Sequence, residues 1–411
     1  METELFITDQ DGEPIEAIGD RSQWPLGEGM TFLNHGSFGS CPKPVLAFQQ
    51  ELRDRLERQP VRFFVQDLES MWDEARNCLA NFLKAAPEGL TFVSNATHGV
   101  NTVLRSLSFE KGDELLVTDH EYNACRNALD YVAKRTGAKV TIAKIQLPVK
   151  QPEDVLASIL EKVSPKTKLL LIDHVSSPTA VVFPLQSIVN EMRSRGIETL
   201  VDGAHAPGML PLNLEDLGAE YYTGNCHKWL CAPKGSAFLY VRPDRQPCIR
   251  PLAISHGANA TRTDRSPFHL EFSWTGTSDP TACLSVPKAI EWMGQQHPKG
   301  WSGVMNRNNR LILLARSYLT STLSWHATAP ASMVGSMVSF HMPDAETTVQ
   351  PSSPLYADPM QDILWGEHRV EVPIIPWPAP PKRLMRISAQ LYNAMEDYSK
   401  LSETLKIVLS S

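Results

Sequence analysis

The 411-residue chain lacks several features that would direct it elsewhere. No apolar run approaches the ~18 residues of a membrane-spanning helix. The N-terminus, "METELFITDQDGEPIE", is acidic and without an apolar core, so no signal peptide is expected. Paired cysteine spacing is missing too. The cysteines, at 41, 78, 125, 226, 231, 248 and 283, are odd in number and never form CxxC. That excludes a disulfide framework and a cysteine zinc site, and is expected of reduced thiols in the cytoplasm. There is no basic block or arginine-rich stripe, and a net charge of −7 argues against nucleic acid as a partner. No fixed-period repeat or low-complexity segment is present. What remains is an ordinary globular composition, 42% hydrophobic and 21% charged, with length enough for two domains.

From residue 90 to 241, short β-rich runs alternate with helical patterns. Strands are predicted at 90–94, 114–119, 139–145, 168–175, 198–203 and 237–241, and helices at 98–109, 123–136, 152–163 and 184–195. Alternation with near-continuous apolar strands predicts an α/β fold, a mostly parallel sheet covered on both faces. After about residue 290 come long helical periodicity, the run "SMVSFHM", the proline-rich "VPIIPWPAPPKRL" and the amphipathic "MEDYSKLSETLKIVL". These predict a second, smaller α+β lobe. The segments 243–272 and 343–366 carry no readable pattern and are expected to line the entrance to a site.

Ligands of open parallel sheets bind beyond the carboxyl ends of the strands. Several predicted strands end there in polar groups. "SNATHGVN" offers Asn95 or Thr97 as a helix cap, hence a possible anion site. "LIDHVSSPTA" offers Asp173 and His174, with Ser176 or Ser177 adding a hydroxyl. "VDGAHAPG" offers Asp202 and His205; a carboxylate at the end of an apolar strand is costly unless it meets a cation or donors. "CHKW" sets Lys228 among Cys226, Trp229, Leu230 and Cys231, which predicts a partly buried ammonium. Burial favours the neutral amine, the form that attacks carbonyls, and His227 could serve an anion. Singly, each cluster is ordinary cap or turn chemistry. In order, an anion cradle, an aromatic or histidine position, an acid and a lysine form the constellation that pyridoxal 5′-phosphate requires.

Seven motifs in order carry a resemblance: "LNHGSFGSCP", "SNATHGVN", "DHEYNA", "VDGAHAPG", "GNCHKWLCAPKG", "WTGTSDPTA" and "MRISAQLYN". The sequence resembles fold-type I, class V aminotransferase-like enzymes, most of all the isopenicillin N epimerase-like branch, which also contains C–S lyases. The resemblance implies a large domain with a mostly parallel seven-stranded sheet sandwiched by helices at 31–290, a small C-terminal domain at 291–411, and an N-terminal segment, 1–30, near the entrance. It implies that Lys228 carries the cofactor covalently, that Asp202 pairs with the pyridine nitrogen, that His205 lies beside the ring and that Tyr122 stacks on its exposed face. Ala96, Thr97, Asn225 and His227 would cradle the phosphate. Asp173 and Ser176 would contact the ring-oxygen side. Gly276 and Thr277 would reach the phosphate of a neighbouring subunit, making the active unit a homodimer with shared sites. Arg386 would hold the α-carboxylate of a small amino-acid substrate, and Asn34, His35 and Gly36 would approach it. The implied activity is epimerisation, with C–S lysis or transamination as alternatives. A cysteine persulfide is not expected, because no cysteine follows Cys283. Nor is a non-catalytic scaffold, because Lys228, Asp202 and Arg386 are all present.

Overall fold

The alternating apolar stretch forms a seven-stranded sheet. This is a computed structural model, which describes residues 20–346 and 358–410. Most of the expected N-terminal segment and the middle of the expected entrance segment, 347–357, lie outside the described residues. The strands are β1 (Leu90–Val93), β2 (Glu114–Thr118), β3 (Lys139–Ala143), β4 (Thr167–Asp173), β5 (Glu198–Asp202), β6 (Tyr221–Asn225) and β7 (Ala237–Val241). Their order is β1-β7-β6-β5-β4-β2-β3. β7 runs antiparallel to both its neighbours, while β2 to β6 are parallel. β6, the short extended run before the lysine, is buried at every position.

Alternate residues face two cores. Leu116, Leu170, Ile172, Val201, Tyr222 and Phe238 point to one; Leu115, Leu169, Leu171, Leu200, Tyr221 and Leu239 point to the other. Each such side chain contributes on the order of 1.5–3 kcal/mol by leaving water. Helices α1 (Ala96–Ser106), α2 (Asn123–Thr136), α3 (Pro152–Leu160) and α4 (Leu185–Ser194) connect the strands. α1 starts two residues earlier than its apolar period, because Asn95 accepts the His98 N–H at 2.8 Å and caps it. β4 stops at Asp173 rather than Val175, and Val175 bridges Val182 instead of the neighbouring strand.

The helical periodicity after residue 290 is two helices, Val286–Gln295 and Gly300–Leu323. The break holds Pro298, and Gly300 takes φ +61, a conformation that favours glycine. The longer helix and the C-terminal one, Met395–Ser410, cover a three-stranded antiparallel sheet: β8 (Met337–His341), β9 (Ile374–Pro376) and β10 (Arg383–Ser388), in order β9-β10-β8. Arg386 therefore sits on the central strand, not at an edge. The start of the described chain is joined to this sheet. Thr31–Phe32 pairs in parallel with Val370–Glu371, and the His35 N–H donates to Ser388 Oγ at 2.8 Å. Of the segment 243–272, Pro243–Cys248 and His256–Asn259 are single 3₁₀ turns and Pro267–Phe272 is a short helix. No helix among the described residues is long and apolar enough to cross a membrane.

Candidate active site

Strand register places the polar ends side by side. Asp173 on β4 is opposite Asp202 on β5, which is opposite Thr223 on β6. Both carboxylates are almost fully buried. Asp202 Oδ1 accepts the Ala204 N–H (2.9 Å) and Oδ2 accepts the Cys125 thiol (3.1 Å). Asp173 Oδ2 and both oxygens of Glu121 are buried with no hydrogen-bond partner. Burial raises all three acids, and mutual repulsion adds to it for Glu121 and Asp173. The Cys125 thiol is likewise held protonated by burial and the nearby carboxylates, so it donates to Asp202.

Lys228 follows β6 in a tight loop. Cys226 N–H bonds Ser236 O, Cys231 N–H bonds Lys228 O and Ala232 N–H bonds Cys226 O. Cys231 adopts φ +59 to make the turn. The lysine Nζ lies 3.2 Å from His205 Nε2. Burial pushes its amine down to about 8, reinforced by the positive Arg386, while Asp202, Cys125 and Asp173 oppose the shift. A substantial free-amine fraction at neutral pH follows, since an ordinary lysine titrates near 10.4.

The loop is held from the far side by the N-terminal segment. His35 is fully buried; its Nε2 meets the Lys228 carbonyl (3.1 Å) and its Nδ1 the Tyr392 hydroxyl (2.8 Å). Lys234 Nζ donates to Gly39 O at 2.9 Å. Gly39 has φ +67, and a Cβ there would lie 2.2 Å from the His227 carbonyl, so only glycine allows this approach. The expectation for "LNHGSF" thus divides. His35 points under the lysine loop, whereas Gly36 packs against Arg386, where an added Cβ would sit 3.5 Å from Nη2.

Arg386 is 3% exposed. Its Nη1 donates to the Ser177 carbonyl and hydroxyl, and its Nη2 to Ser37 Oγ at 2.9 Å. Ser37 in turn donates to Asn34 Oδ1. No carboxylate among the described residues forms an ion pair with Arg386. Its charge is felt at Lys228, His205 and Tyr122. Tyr122, just before α2, is 39% exposed and close enough to Asp202 and Cys125 to feel their charge.

At α1, the Ala96 N–H bonds Asn225 Oδ1 at 2.9 Å, tying the helix start to the end of β6. Gly99 lets α1 lie directly on β6; a Cβ there would reach 2.2 Å from Thr223 Oγ1. Asn225 Nδ2 and the Thr97 N–H and hydroxyl have no partner among the described residues. His227 Nδ1 lies 3.2 Å from the Ser236 carbonyl and must donate to it, which makes Nε2 an acceptor while the ring is neutral. Burial pushes this imidazole down to about 4. Ser176 Oγ donates to the His120 carbonyl at 3.4 Å. Gly276 and Thr277 are exposed and make no hydrogen bond to the lysine cluster within this chain. Ser177, Ser37, Cys125 and Glu121 were not singled out in their site roles. Only the "SS" after β4 pointed to one of them.

Residues 41–401 match the family described as aminotransferase class-V. The chain belongs to that family. It is 32% identical to the isopenicillin N epimerase of Amycolatopsis lactamdurans, over 94% of this chain and 97% of that one. It is 29% identical to a probable chloroplastic L-cysteine desulfhydrase of Arabidopsis thaliana, over 91% of this chain and 82% of that one. Among solved structures, a C-DES mutant with glycine covalently linked to its PLP cofactor matches with a TM-score of 0.77, at 24% identity, over 94% of this chain and 99% of that one; at that identity the likeness establishes the fold.

The chain is thus a pyridoxal phosphate enzyme, and its residues fit that group. A half-buried lysine with a depressed amine would meet the aldehyde. Asp202, paired only with a thiol and a backbone N–H, would meet the pyridine nitrogen. The unpartnered groups of Thr97 and Asn225 would meet the phosphate. Lys228→Ala is expected to abolish borohydride-stable cofactor attachment and the visible absorbance of the purified protein, with thermal unfolding within a few degrees of wild type. An attached, borohydride-stable cofactor in the variant would show that another amine carries it.

Proposed function

We propose that the enzyme acts at the α-carbon of an amino acid, and that its reaction is epimerisation of the isopenicillin N epimerase type. The observation that carries the Cα reading is Arg386. A buried guanidinium normally meets a carboxylate, yet this one has only neutral serine oxygens and lies within charge range of the lysine amine. A substrate α-carboxylate would complete it through two parallel charge-assisted bonds. Bidentate binding also orients the substrate, fixing which bond at Cα faces Lys228.

When bound, pyridoxal phosphate supplies an electron sink for the pair left at Cα as its proton departs. Lys228 Nζ, whose loss of a proton is eased by burial, receives that proton as the free amine. Asp202 keeps the ring nitrogen protonated, which the site favours once a cation sits beside this carboxylate. Cys125 and the Ala204 N–H restrain the carboxylate's orientation. The epimerase reading draws on the 32% identity across nearly the whole of both chains. A second reading, β-elimination of a sulfur group, draws on the L-cysteine desulfhydrase relative.

We further assign a twofold dimer with shared sites. Gly276 and Thr277 are exposed, and Val61 and Val65 (each 76% exposed) and Phe38 (56%) leave apolar surface uncovered.

Three measurements bear on this. Incubating the enzyme with a panel of amino acids in deuterated water should give Cα deuterium with inversion for one of them. Pyruvate with sulfide or ammonia would favour elimination instead, and no Cα exchange across the panel would end the Cα reading. Arg386→Lys keeps charge but loses the fork; it should bind cofactor with unaltered absorbance while kcat/KM falls roughly tenfold or more, the scale of ~1.4 kcal/mol. Wild-type kinetics in that variant would place the carboxylate elsewhere. Light scattering should find a dimer at working concentration, and a fully active monomer would refute the shared site.

A further inference from the structure

Beside Lys228 lies a residue that the cofactor reading leaves without a task. Trp229 is 1% exposed. Its indole Nε1–H points at His205 Nδ1 at 3.4 Å, and its ring packs on His35 with centroids 5.0 Å apart. The indole cannot slide away, because its own backbone is clamped: a Cβ on Gly208 would lie 2.5 Å from the Trp229 carbonyl oxygen. On the other side of the same imidazole, His205 Nε2 faces Lys228 Nζ at 3.2 Å.

The proton inventory of these three groups is restrictive. An indole nitrogen is a donor only. Facing it, His205 Nδ1 must therefore accept and cannot itself carry a proton. His205 is 1% exposed, and burial together with the cations Lys228 and Arg386 keeps it neutral. A neutral imidazole without a proton on Nδ1 carries it on Nε2. That N–H then faces Lys228 Nζ. An ammonium there would set donor against donor, whereas a free amine offers the lone pair that accepts. The alternative tautomer, with Nδ1–H, would let Nε2 accept from an ammonium, but it would set Nδ1–H against the indole N–H.

We propose that Trp229 is a positioning residue: its indole fixes the proton of His205 on Nε2, so that His205 meets Lys228 only as a donor and favours the lysine as free amine. The remaining titratable groups facing this pair are Asp173, Asp202, Cys125, Arg386 and His227. Of these, the two carboxylates and the thiol work against the free amine and Arg386 works for it. The indole acts through the imidazole without adding a charge. The inference rests on the reading of Lys228 as the cofactor lysine.

The test uses the full-length chain, both as purified and after cofactor removal. With ¹⁵N-labelled histidine, the His205 resonances are assigned by their loss in His205→Gln. Wild type should show a protonated, pyrrole-type Nε2 and a pyridine-type Nδ1. Trp229→Phe keeps the ring and removes the donor; it should move the two resonances toward the mixed values of exchanging tautomers. The second readout is the pH dependence of cofactor recapture by the stripped chain, followed by absorbance. In wild type its midpoint should lie near the lysine value of about 8. In Trp229→Phe, Nε2 becomes free to accept from the ammonium, so the charged form gains and the midpoint should rise. A rise of about one pH unit would mean roughly tenfold slower capture at pH 7. A proton on Nδ1 in wild type overturns the proposal, and that measurement needs no variant to fold. A Trp229→Phe recapture curve that superimposes on wild type overturns it as well. Failure of wild type to capture cofactor at any pH would overturn the reading of Lys228 too, which separates the two failures.

Discussion

An amine that is to attack a carbonyl must be unprotonated where ordinary lysines are charged, and the cost of desolvating an ammonium meets that requirement here. Lys228 stands at the mouth of β6, half-buried, with its amine beside His205. The cleft also holds a second cation, Arg386, and both effects favour loss of the proton. Three acids, Glu121, Asp173 and Asp202, surround the same space. In water their attraction for the lysine would be the larger effect. Inside the protein they resist ionisation themselves, since burial and mutual repulsion raise all of them or nearly so. The lysine is therefore not neutralised by a committed ion pair, and its nitrogen stays available.

Desolvation works only if the loop is kept shut, and the residues that shut it come from distant parts of the chain. His35 holds the carbonyl of Lys228 itself, and Gly39 approaches the carbonyl of His227 more closely than any side chain would permit. His35 is anchored in turn by Tyr392, and its own backbone N–H by Ser388. Gly36 and Ser37, on the same short segment, back the guanidinium of Arg386. One stretch of fewer than ten residues thus backs both the loop that carries Lys228 and the guanidinium of Arg386.

Much of this was legible in the sequence because it is local. Strand periodicity, the Asn95 cap, the acid that ends β5 and the lysine after β6 all sit within short windows, where period and polarity are direct signals. β6, Tyr221–Asn225, is not among the strands that period predicts. Which way His35 faces is not legible in the sequence: its neighbours Asn34 and Gly36 reach the Arg386 group, while its imidazole turns to the lysine loop on a helix of four residues. Nor is the bond from the Ser176 hydroxyl to the His120 carbonyl, which spans 56 residues. Cys125, Glu121 and Ser37 were missed because their importance exists only across gaps of tens to hundreds of residues. Composition carries no trace of such contacts.

The polar groups left without partners then acquire a common meaning. A buried carboxylate oxygen without a hydrogen bond is destabilising, and of the four among the described residues three lie here, on Glu121 and Asp173. It keeps a buried guanidinium on neutral oxygens, and an unpartnered amide and hydroxyl at the start of α1. A chain selected for stability alone would have filled or removed these groups, as hydrophobic replacement of buried charge often stabilises. Their signs are arranged: acids and the lysine around one space, the guanidinium toward its open side, and anion-seeking donors at the helix start. Such a set is closed by a ligand with a cationic ring nitrogen, an electrophilic carbon and a phosphate, joined by a substrate that brings a carboxylate. Each of these groups costs less beside a partner of opposite sign, so together they favour a molecule carrying those charges in that order.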